Sequence, residues 1–593
     1  MKRTLGFALA AALTTSVVGT AAVAAPNDNA NPRAHEMAGT KADNPNKGPG
    51  NNNGKDKGKD KTPPGHLVDV QVLQFSDFHG HLEPRSGFGG AAYLAGLIDQ
   101  LRAEFQAETK NGVTHVVSSG DSIGGSTFES GLFQDEPTIE VLNAIGLVAS
   151  AVGNHEFDEG VTELMRIVEG GNHPELGQFG DTPYAGTDFP YLAANVVWKG
   201  TNDPILPPYV IEKHRGVKVG YIGVVTDDTP ILVSPGGIAD VDFLDEATTL
   251  NRYAAELQAQ GVEAIVALVH EGGYDGGTYA SPITTEDVNA GCEALSGPIV
   301  DINANTTSAV DVLLTGHTHN GFACLLPDPD GVQRAVNGPG DWGRVLSETT
   351  FQVNRKSGDV VRESLAVENH VVLADGSITP NAEVAALVDE WVAMADIVGQ
   401  QVIGSADEPI TGDSSGPRGY ETPMADLVAD SILWSAQDAG AQIAFMNVGG
   451  VRGSLDQGDI TYAEAYAVTP FGNLINTITL TGADIEAALN QQFVESRGRQ
   501  QLALGVSEGF SYTWDDTAKQ VVPGTVTLNG EPIDPNATYR VAVYNFLAEG
   551  GDGFTAFTNY TELTGGMEDL AAFVGYIRQF SPLTAPEDRV EGL

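Results

Sequence analysis

Cysteine is nearly absent, with only Cys292 and Cys324 among 593 residues. Two thiols are too few for a structural zinc site, and no local motif marks either one as a catalytic nucleophile. In an exported chain such an isolated pair reads as one disulfide. Positive charge is scarce as well, with 31 Lys and Arg against 79 Asp and Glu for a net charge of −48. Residues 1–66 hold nine of the basic and five of the acidic residues, so the following 527 carry 22 against 74, a net of −52. A surface of that sign repels phosphate chains and argues against holding long nucleic acid by counterion release. A small anion would need a locally positive pocket. Long apolar runs are missing beyond the first 25 residues. The run at 5–23 follows Lys2 and Arg3, is interrupted by Thr14, Thr15, Ser16, Gly19 and Thr20, and ends on Ala22-Val23-Ala24. It predicts a signal peptide at 1–25, removed in the mature protein, in preference to a membrane anchor.

Residues 26–66 are Asn, Pro, Gly, Lys and Asp with almost nothing to bury, the composition of a disordered spacer. No second apolar span and no sorting tail follow. The mature chain is therefore expected to lack a transmembrane segment and to act outside the cytoplasm: secreted, in a periplasm-like space, or associated with the wall.

The rest is too long for one hydrophobic core, and two domains are expected. Short β-rich runs at 68–75, 113–117, 148–152, 217–225, 264–269 and 310–314 each lead at once into a polar loop. Helix-like stretches at 91–105, 138–145 and 247–258 lie between some of them. This is the pattern of an α/β or layered domain with buried strands, spanning 67–375. At 382–400 the residues Val384, Leu387, Val388, Trp391, Val392, Ala395 and Val398 fall on one helical stripe. That helix, within 376–402, is expected to connect the domains or to close the core of the first. Residues 403–593 read as a second, α+β domain.

The loops after the runs carry the chemistry. In order they hold Ser76-Asp77-Phe78-His79-Gly80, Gly120-Asp121, Gly153-Asn154-His155-Glu156, His270, and Gly316-His317-Thr318-His319. Any one of these, taken alone, reads more readily as a surface loop or capped turn than as a ligand. Five in series do not: of twelve histidines, five (79, 155, 270, 317 and 319) stand where a strand is expected to end. Mixed nitrogen and oxygen donors suit zinc, manganese, iron or cobalt better than an all-oxygen calcium cage.

The ordered set D-x-H, G-D, G-N-H-E, a lone His and G-H-x-H resembles that of the calcineurin-like metallophosphoesterases. Continued to residue 593, the chain is similar to the exported 5′-nucleotidase and UDP-sugar hydrolase family. The resemblance implies an N-terminal four-layer sandwich and a C-terminal α+β nucleotide-binding domain. It implies two divalent metal ions, one on Asp77, His79 and His319, the other on Asn154, His270 and His317, with Asp121 bridging and a shared hydroxide as the nucleophile. In some members Gln or Asn stands where this chain has His319. By the same resemblance His155 faces the phosphate, and Asp158 holds its ring. Read alone, Asp158 would instead N-cap the following helix.

In the second half, Asn447 to Arg452, Phe471 in Pro470-Phe471-Gly472-Asn473, and Phe546 with the glycine-rich 550–554 segment each read alone as turns or core. Together they match the family. The resemblance implies that Phe471 and Phe546 stack the base, Asp552 takes the ribose, and Asn447, Arg452 and Arg418 hold the rest of the nucleotide. Stacking suits any base and implies broad nucleotide use. The resulting expectation is hydrolysis of nucleoside 5′-monophosphates, with nucleoside di- and triphosphates or UDP-sugars as further substrates. A 2′,3′-cyclic phosphodiesterase with 3′-nucleotidase activity and a dinucleotide pyrophosphatase share the metal site. A non-catalytic surface binding protein would lack ligands, and none is missing. An extracellular nuclease is opposed by the acidic surface.

Overall fold

The computed structural model describes residues 66–593, apart from 175, 181, 234, 276–282, 290, 291, 413–418 and 498. The expected signal and spacer, and Arg418, lie outside the described residues.

The first half contains two six-stranded sheets. One runs Ala366–Val371, Val345–Asn354, Leu67–Phe75, Val113–Ser118, Ala149–Ala151, Tyr191–Leu192, and its last four strands are parallel. The other runs Gly321–Pro327, Gln333–Pro339, Val312–Thr315, Ala264–His270, Val217–Val225, Tyr209–His214, with the four central strands parallel. Both faces of the central strands are apolar, which is why their sequences read as continuous runs. Alternate residues point opposite ways along a strand. Val68, Val70 and Val72 meet Val219, Tyr221, Val266 and Leu268 between the sheets, while Leu73 and Phe75 face helices on the outside. On the far side Ile222, Val224, Ile265 and Ala267 pack on Leu250, Tyr253, Ala254 and Leu257 of the helix Glu246–Ala259. Helix, sheet, sheet, helix is the four-layer sandwich the resemblance implied. The described residues form one compact unit from residue 66 to Leu593.

The second half is built on a mixed five-stranded sheet in the order Leu504–Val506, Ile443–Asn447, Thr538–Tyr544, Leu474–Thr481, Leu563–Glu568. Ala444 and Met446 face one apolar cluster, Ile443 and Phe445 the other.

The helix Ala382–Gly399 joins the halves. Its N-cap Asn381 accepts hydrogen bonds from the backbone N–H groups of Glu383 and Val384. Val384, Val388, Trp391 and Ala395 are buried, and the Trp391 indole N–H donates to Glu140. At its end a Cβ on Gly399 would lie 2.4 Å from the Phe128 ring and 3.2 Å from Ala463, so side chains from both halves close on this one position. The helix thus both closes the first core and touches the second domain.

Cys292 and Cys324 form a disulfide, with Cα atoms 5.7 Å apart. Among the described residues no helix is long and apolar enough to cross a membrane.

Candidate metal centre

Parallel registers pair Phe75 with Ser118, Ser118 with Ser150, and Val269 with Thr315, so the exit loops of these strands gather at one end of the sandwich. Carboxyl ends of parallel strands are where α/β folds place their sites. The loops lock onto one another through the backbone: Asp77 N–H donates to Gly120 C=O at 2.9 Å and His79 N–H to Asp121 C=O at 3.1 Å. Glycine is required where they touch. A Cβ on Gly153 would fall 2.1 Å from an Asp121 carboxylate oxygen, and one on Gly120 2.7 Å from the His270 ring. Asp77, His79, Asp121, His317 and His319 all have φ between 47° and 68°. For residues with a Cβ that conformation is strained, and it persists because surrounding contacts over-determine it.

The strain brings two sets of side chains together. Ligand atoms of Asp77, His79 and His319 lie within 4.8 Å of one another, as do those of Asp121, His270 and His317. Asp121 sits between the sets, with Oδ2 3.0 Å from His270 Nε2 and 3.9 Å from His79 Nε2. His79 Nδ1 is 2.7 Å from Gly124 C=O, and His270 Nδ1 is 2.7 Å from Ser119 C=O. A carbonyl can only accept, so the proton sits on Nδ1 and the Nε2 lone pair is left for a ligand. Both Nε2 atoms, and Asn154 Oδ1, are buried without a hydrogen-bond partner. Orphaned buried acceptors are costly. Two of them, on His79 and His270, lie in the sets that contain Asp77 and Asp121, a donor chemistry that fits divalent cations. Burial, then the neighbouring His155, hold His79 down to about 3.

Glu156 was legible only as part of its motif. Its buried carboxylate accepts the N–H groups of Asp121, Ser122 and Gly153, clamping two ligand loops together, and burial pushes it up to about 7. His155 Nδ1 meets Asp158 at 2.7 Å, while its backbone N–H donates to Asp121 at 2.8 Å. Burial lowers the His155 imidazole, but Asp158 and then Asp121 raise it above the ordinary value on balance. The capping reading of Asp158 is corrected. The helix Gly160–Glu169 has Glu159 at its N-cap with no side-chain cap bond, and the Asp158 carboxylate is engaged by His155 instead.

The second domain contributes from the opposite side. Phe471 lies nearly parallel to the His155 ring, 6.0 Å between centroids and 17° between planes, and the Arg452 guanidinium sits 5.5 Å over it. That spacing leaves no gap for a third ring. A crevice beside this contact is lined by His155, Asp158, Tyr466, Thr469 and Phe471. Asn447 donates to the Asp552 carboxylate at 3.3 Å, and Asp552 is left-handed at φ 56°. Phe546 is half-buried, with a Cβ on Gly551 placed 2.5 Å from its ring. Arg497, unremarked in the sequence, donates to Asp552 C=O at 2.7 Å.

Also missed were Asp341 and Trp342. Asp341 is 3.1 Å from His319 Nδ1, and Trp342 N–H donates to Asp77 C=O at 2.7 Å. They belong to the turn that leads from Gln333–Pro339 of one sheet to Val345–Asn354 of the other, and no spacing in the sequence relates them to residues 77 or 319.

The chain matches a calcineurin-like phosphoesterase model over residues 70–321 and a 5′-nucleotidase C-terminal domain model over 402–559. It is 35% identical to the cell wall protein Lmo0130 of Listeria monocytogenes over 86% of this chain and 67% of that one. It is 32% identical to the endonuclease YhcR of Bacillus subtilis over 88% of this chain, spanning 40% of the relative. It is 27% identical to the protein UshA of Escherichia coli, over 87% of this chain and 92% of that one. Among solved structures, a 5′-nucleotidase precursor from Thermus thermophilus superposes with a TM-score of 0.68 at 26% identity, covering 88% of this chain and 99% of that one.

Proposed function

Because the chain belongs to the 5′-nucleotidase/UshA family, joining a calcineurin-like phosphoesterase domain to a 5′-nucleotidase C-terminal domain, we propose that it is an exported hydrolase of nucleoside 5′-monophosphates, releasing nucleoside and phosphate. The observation that carries the reading is the pair of ligand sets that meet at Asp121, whose Oδ2 lies 3.0 Å from His270 Nε2 and 3.9 Å from His79 Nε2, with the His155 ring beside His79.

In this proposal Asp77, His79 and His319 hold one cation, and Asn154, His270 and His317 the other, with Asp121 common to both. Divalent zinc, manganese, iron or cobalt would suit these donors and, when bound, supply an acidified water and positive charge toward a phosphoryl group. His155, kept protonated and oriented by Asp158, directs an N–H at the phosphoryl oxygens or the leaving oxygen and gives up its proton as the bond to phosphorus breaks. Phe471 and Phe546 take the two faces of the base, Asp552 the ribose, and Asn447, Arg452 and Arg418 the remaining polar groups. Since Phe471 lies against His155, a bound nucleotide requires that ring to withdraw. Residues 376–402 are the hinge of this proposal. Nucleoside di- and triphosphates and UDP-sugars extend the same site.

A second reading, cleavage of nucleic acid, is favoured by the likeness to the Bacillus endonuclease and opposed by the net charge of −52 after His66. Export is supported by the disulfide and by a relative named a cell wall protein. The test is hydrolysis by the purified protein, read as phosphate release from AMP and 3′-AMP and as product formation by chromatography from cyclic 2′,3′-AMP, UDP-glucose and DNA, with and without chelator. Chelator-sensitive release fastest from AMP supports the proposal. Preference for the 3′ or cyclic substrate replaces it with the phosphodiesterase reading, and chelator-insensitive or absent hydrolysis of all five removes the metal-dependent enzyme.

A further inference from the structure

We propose that Asp341 is a positioning residue for one half of the metal centre, fixing the His319 ring so that its Nε2 faces the cation held with Asp77 and His79. The inference rests on the metal reading above.

His319 is the exposed member of its set. Its side chain is 32% accessible, whereas those of Asp77 and His79 are 0% and 2%. Packing therefore constrains its ring less than it constrains the other two. The buried ligands His79 and His270 are set by backbone carbonyls at Nδ1. For His319 the partner is a carboxylate: Asp341 Oδ2 lies 3.1 Å from Nδ1, and the opposite nitrogen, Nε2, lies 3.3 Å from Asp77 Oδ1. A proton held at Nδ1 by Asp341 leaves Nε2 as the ligand atom, aimed at the space it shares with Asp77.

Asp341 is itself immobilised. It is 6% exposed, and its other oxygen, Oδ1, accepts from Arg344 Nε at 3.0 Å and from Arg344 Nη2. The Arg344 guanidinium rests 4.5 Å over the Trp342 ring, which stacks on His81 with centroids 4.7 Å apart. The Trp342 N–H reaches the Asp77 carbonyl. One turn, residues 340–344, thus holds Asp77 through its backbone and His319 through a carboxylate. It does so at a conformational cost, with Gly340, Trp342 and Gly343 at φ 73°, 54° and 62°. A bulky residue in that region is an outlier that tertiary contacts must maintain. Here they include the Phe78 ring, 3.0 Å from where a Cβ on Gly343 would stand.

Asp341 contacts the set containing His319 and not the set containing Asn154, His270 and His317, so its loss should separate the two cations. A residue that only stabilised the fold would not. The test measures metal content by mass spectrometry, and zinc and manganese affinity by competition with a chelator, in the full chain and its variants Asp341→Asn, Asp341→Glu, His319→Gln and Asp341→Asn/His319→Gln. Thermal melts of the metal-free forms check that each variant folds. Wild type is expected to bind two ions. In Asp341→Asn one affinity falls by ~10–100-fold while the other stays, the effect of losing an outer partner of a ligand. Asp341→Glu recovers part of the loss, and in the His319→Gln background Asp341→Asn adds none. Two ions at wild-type affinity in Asp341→Asn, or equal weakening of both, overturns the proposal. A wild-type chain that takes up no metal overturns the metal reading itself, and this inference with it. Should Asp341→Asn fail to fold, the Asp341→Glu and His319→Gln variants carry the same comparison.

Discussion

In the first domain the proposed ligands stand on loops that begin directly at strand ends, five of the seven with left-handed backbone and most with buried side chains. Their loops are tied together by backbone hydrogen bonds and by the Glu156 carboxylate. In the second domain Arg452, Phe471, Phe546 and Asp552 are only partly buried, and their segments hang from separate strands and helices. The Phe471 ring rests on a residue of the other domain, and the Asp552 side chain is met by an amide at 3.3 Å. In the proposed function the difference separates two tasks. Polarising a phosphoryl group demands atoms held to a fraction of an ångström before substrate arrives. Receiving a flat base demands a surface that can open and close.

The comparison breaks first at Asp121, the carboxylate proposed to serve both cations. Asp121→Ala, or chelation of the wild type, should lower kcat for AMP by more than the loss of His155 does. His155→Ala is expected next, at ~10²–10⁴-fold in kcat, the usual worth of a positioned proton donor. Asp158→Asn should cost less, because the ring remains. Phosphate-release kinetics measure all three, and a His155→Ala enzyme at wild-type kcat would remove the residue from the chemistry. Gly153→Ala then tests rigidity. Its Cβ would intrude 2.1 Å from Asp121, so a destabilisation of ~1–3 kcal/mol is expected in thermal melts, together with reduced metal content. Equal tolerance at Gly153 and at a second-domain glycine with open space, such as Gly565, would erase the contrast in rigidity.

Phe471→Ala and Phe546→Ala should act on binding, each at ~1–3 kcal/mol for a stacked base, raising KM for AMP more than for p-nitrophenyl phosphate. Equal changes for both substrates would count against stacking. The smallest expected effect leaves activity alone. His115 is buried beneath the centre against Tyr221 at 2.6 Å, and burial, then His214, hold it down to about 4. A depressed histidine contributes stability above its unfolded value near 6.5 that is lost as pH falls through about 4. Melting temperature should therefore drop between pH 6.5 and pH 4, and less steeply in His115→Gln.

The strands were legible because buried parallel strands leave continuous apolar runs, and the ligand loops because each run stops abruptly at Asp, Asn or His beside glycine. Strand ends themselves shifted by a residue or two: the run at 310–314 became Val312–Thr315, since hydrogen bonding and apolarity need not end together. Asp158 was ambiguous, because an acid before a helix can cap it or face a neighbour; only the His155 ring, three residues back on a 3₁₀ turn, settles which. Asp341, Trp342 and Arg497 had no signal at all.

Sequence alone determined the alternation of strands and helices, the order of the donor residues and the scarcity of positive charge, because those follow from side-chain type and local spacing. Tertiary structure alone decided which donors come within 4.8 Å of one another, which imidazole nitrogens face backbone carbonyls, that Phe471 rests on His155, and that Asp341, more than twenty residues beyond His319, lies 3.1 Å from its ring. Those are relations between atoms far apart in the chain, fixed by strand register and loop backbone, and no local pattern encodes them.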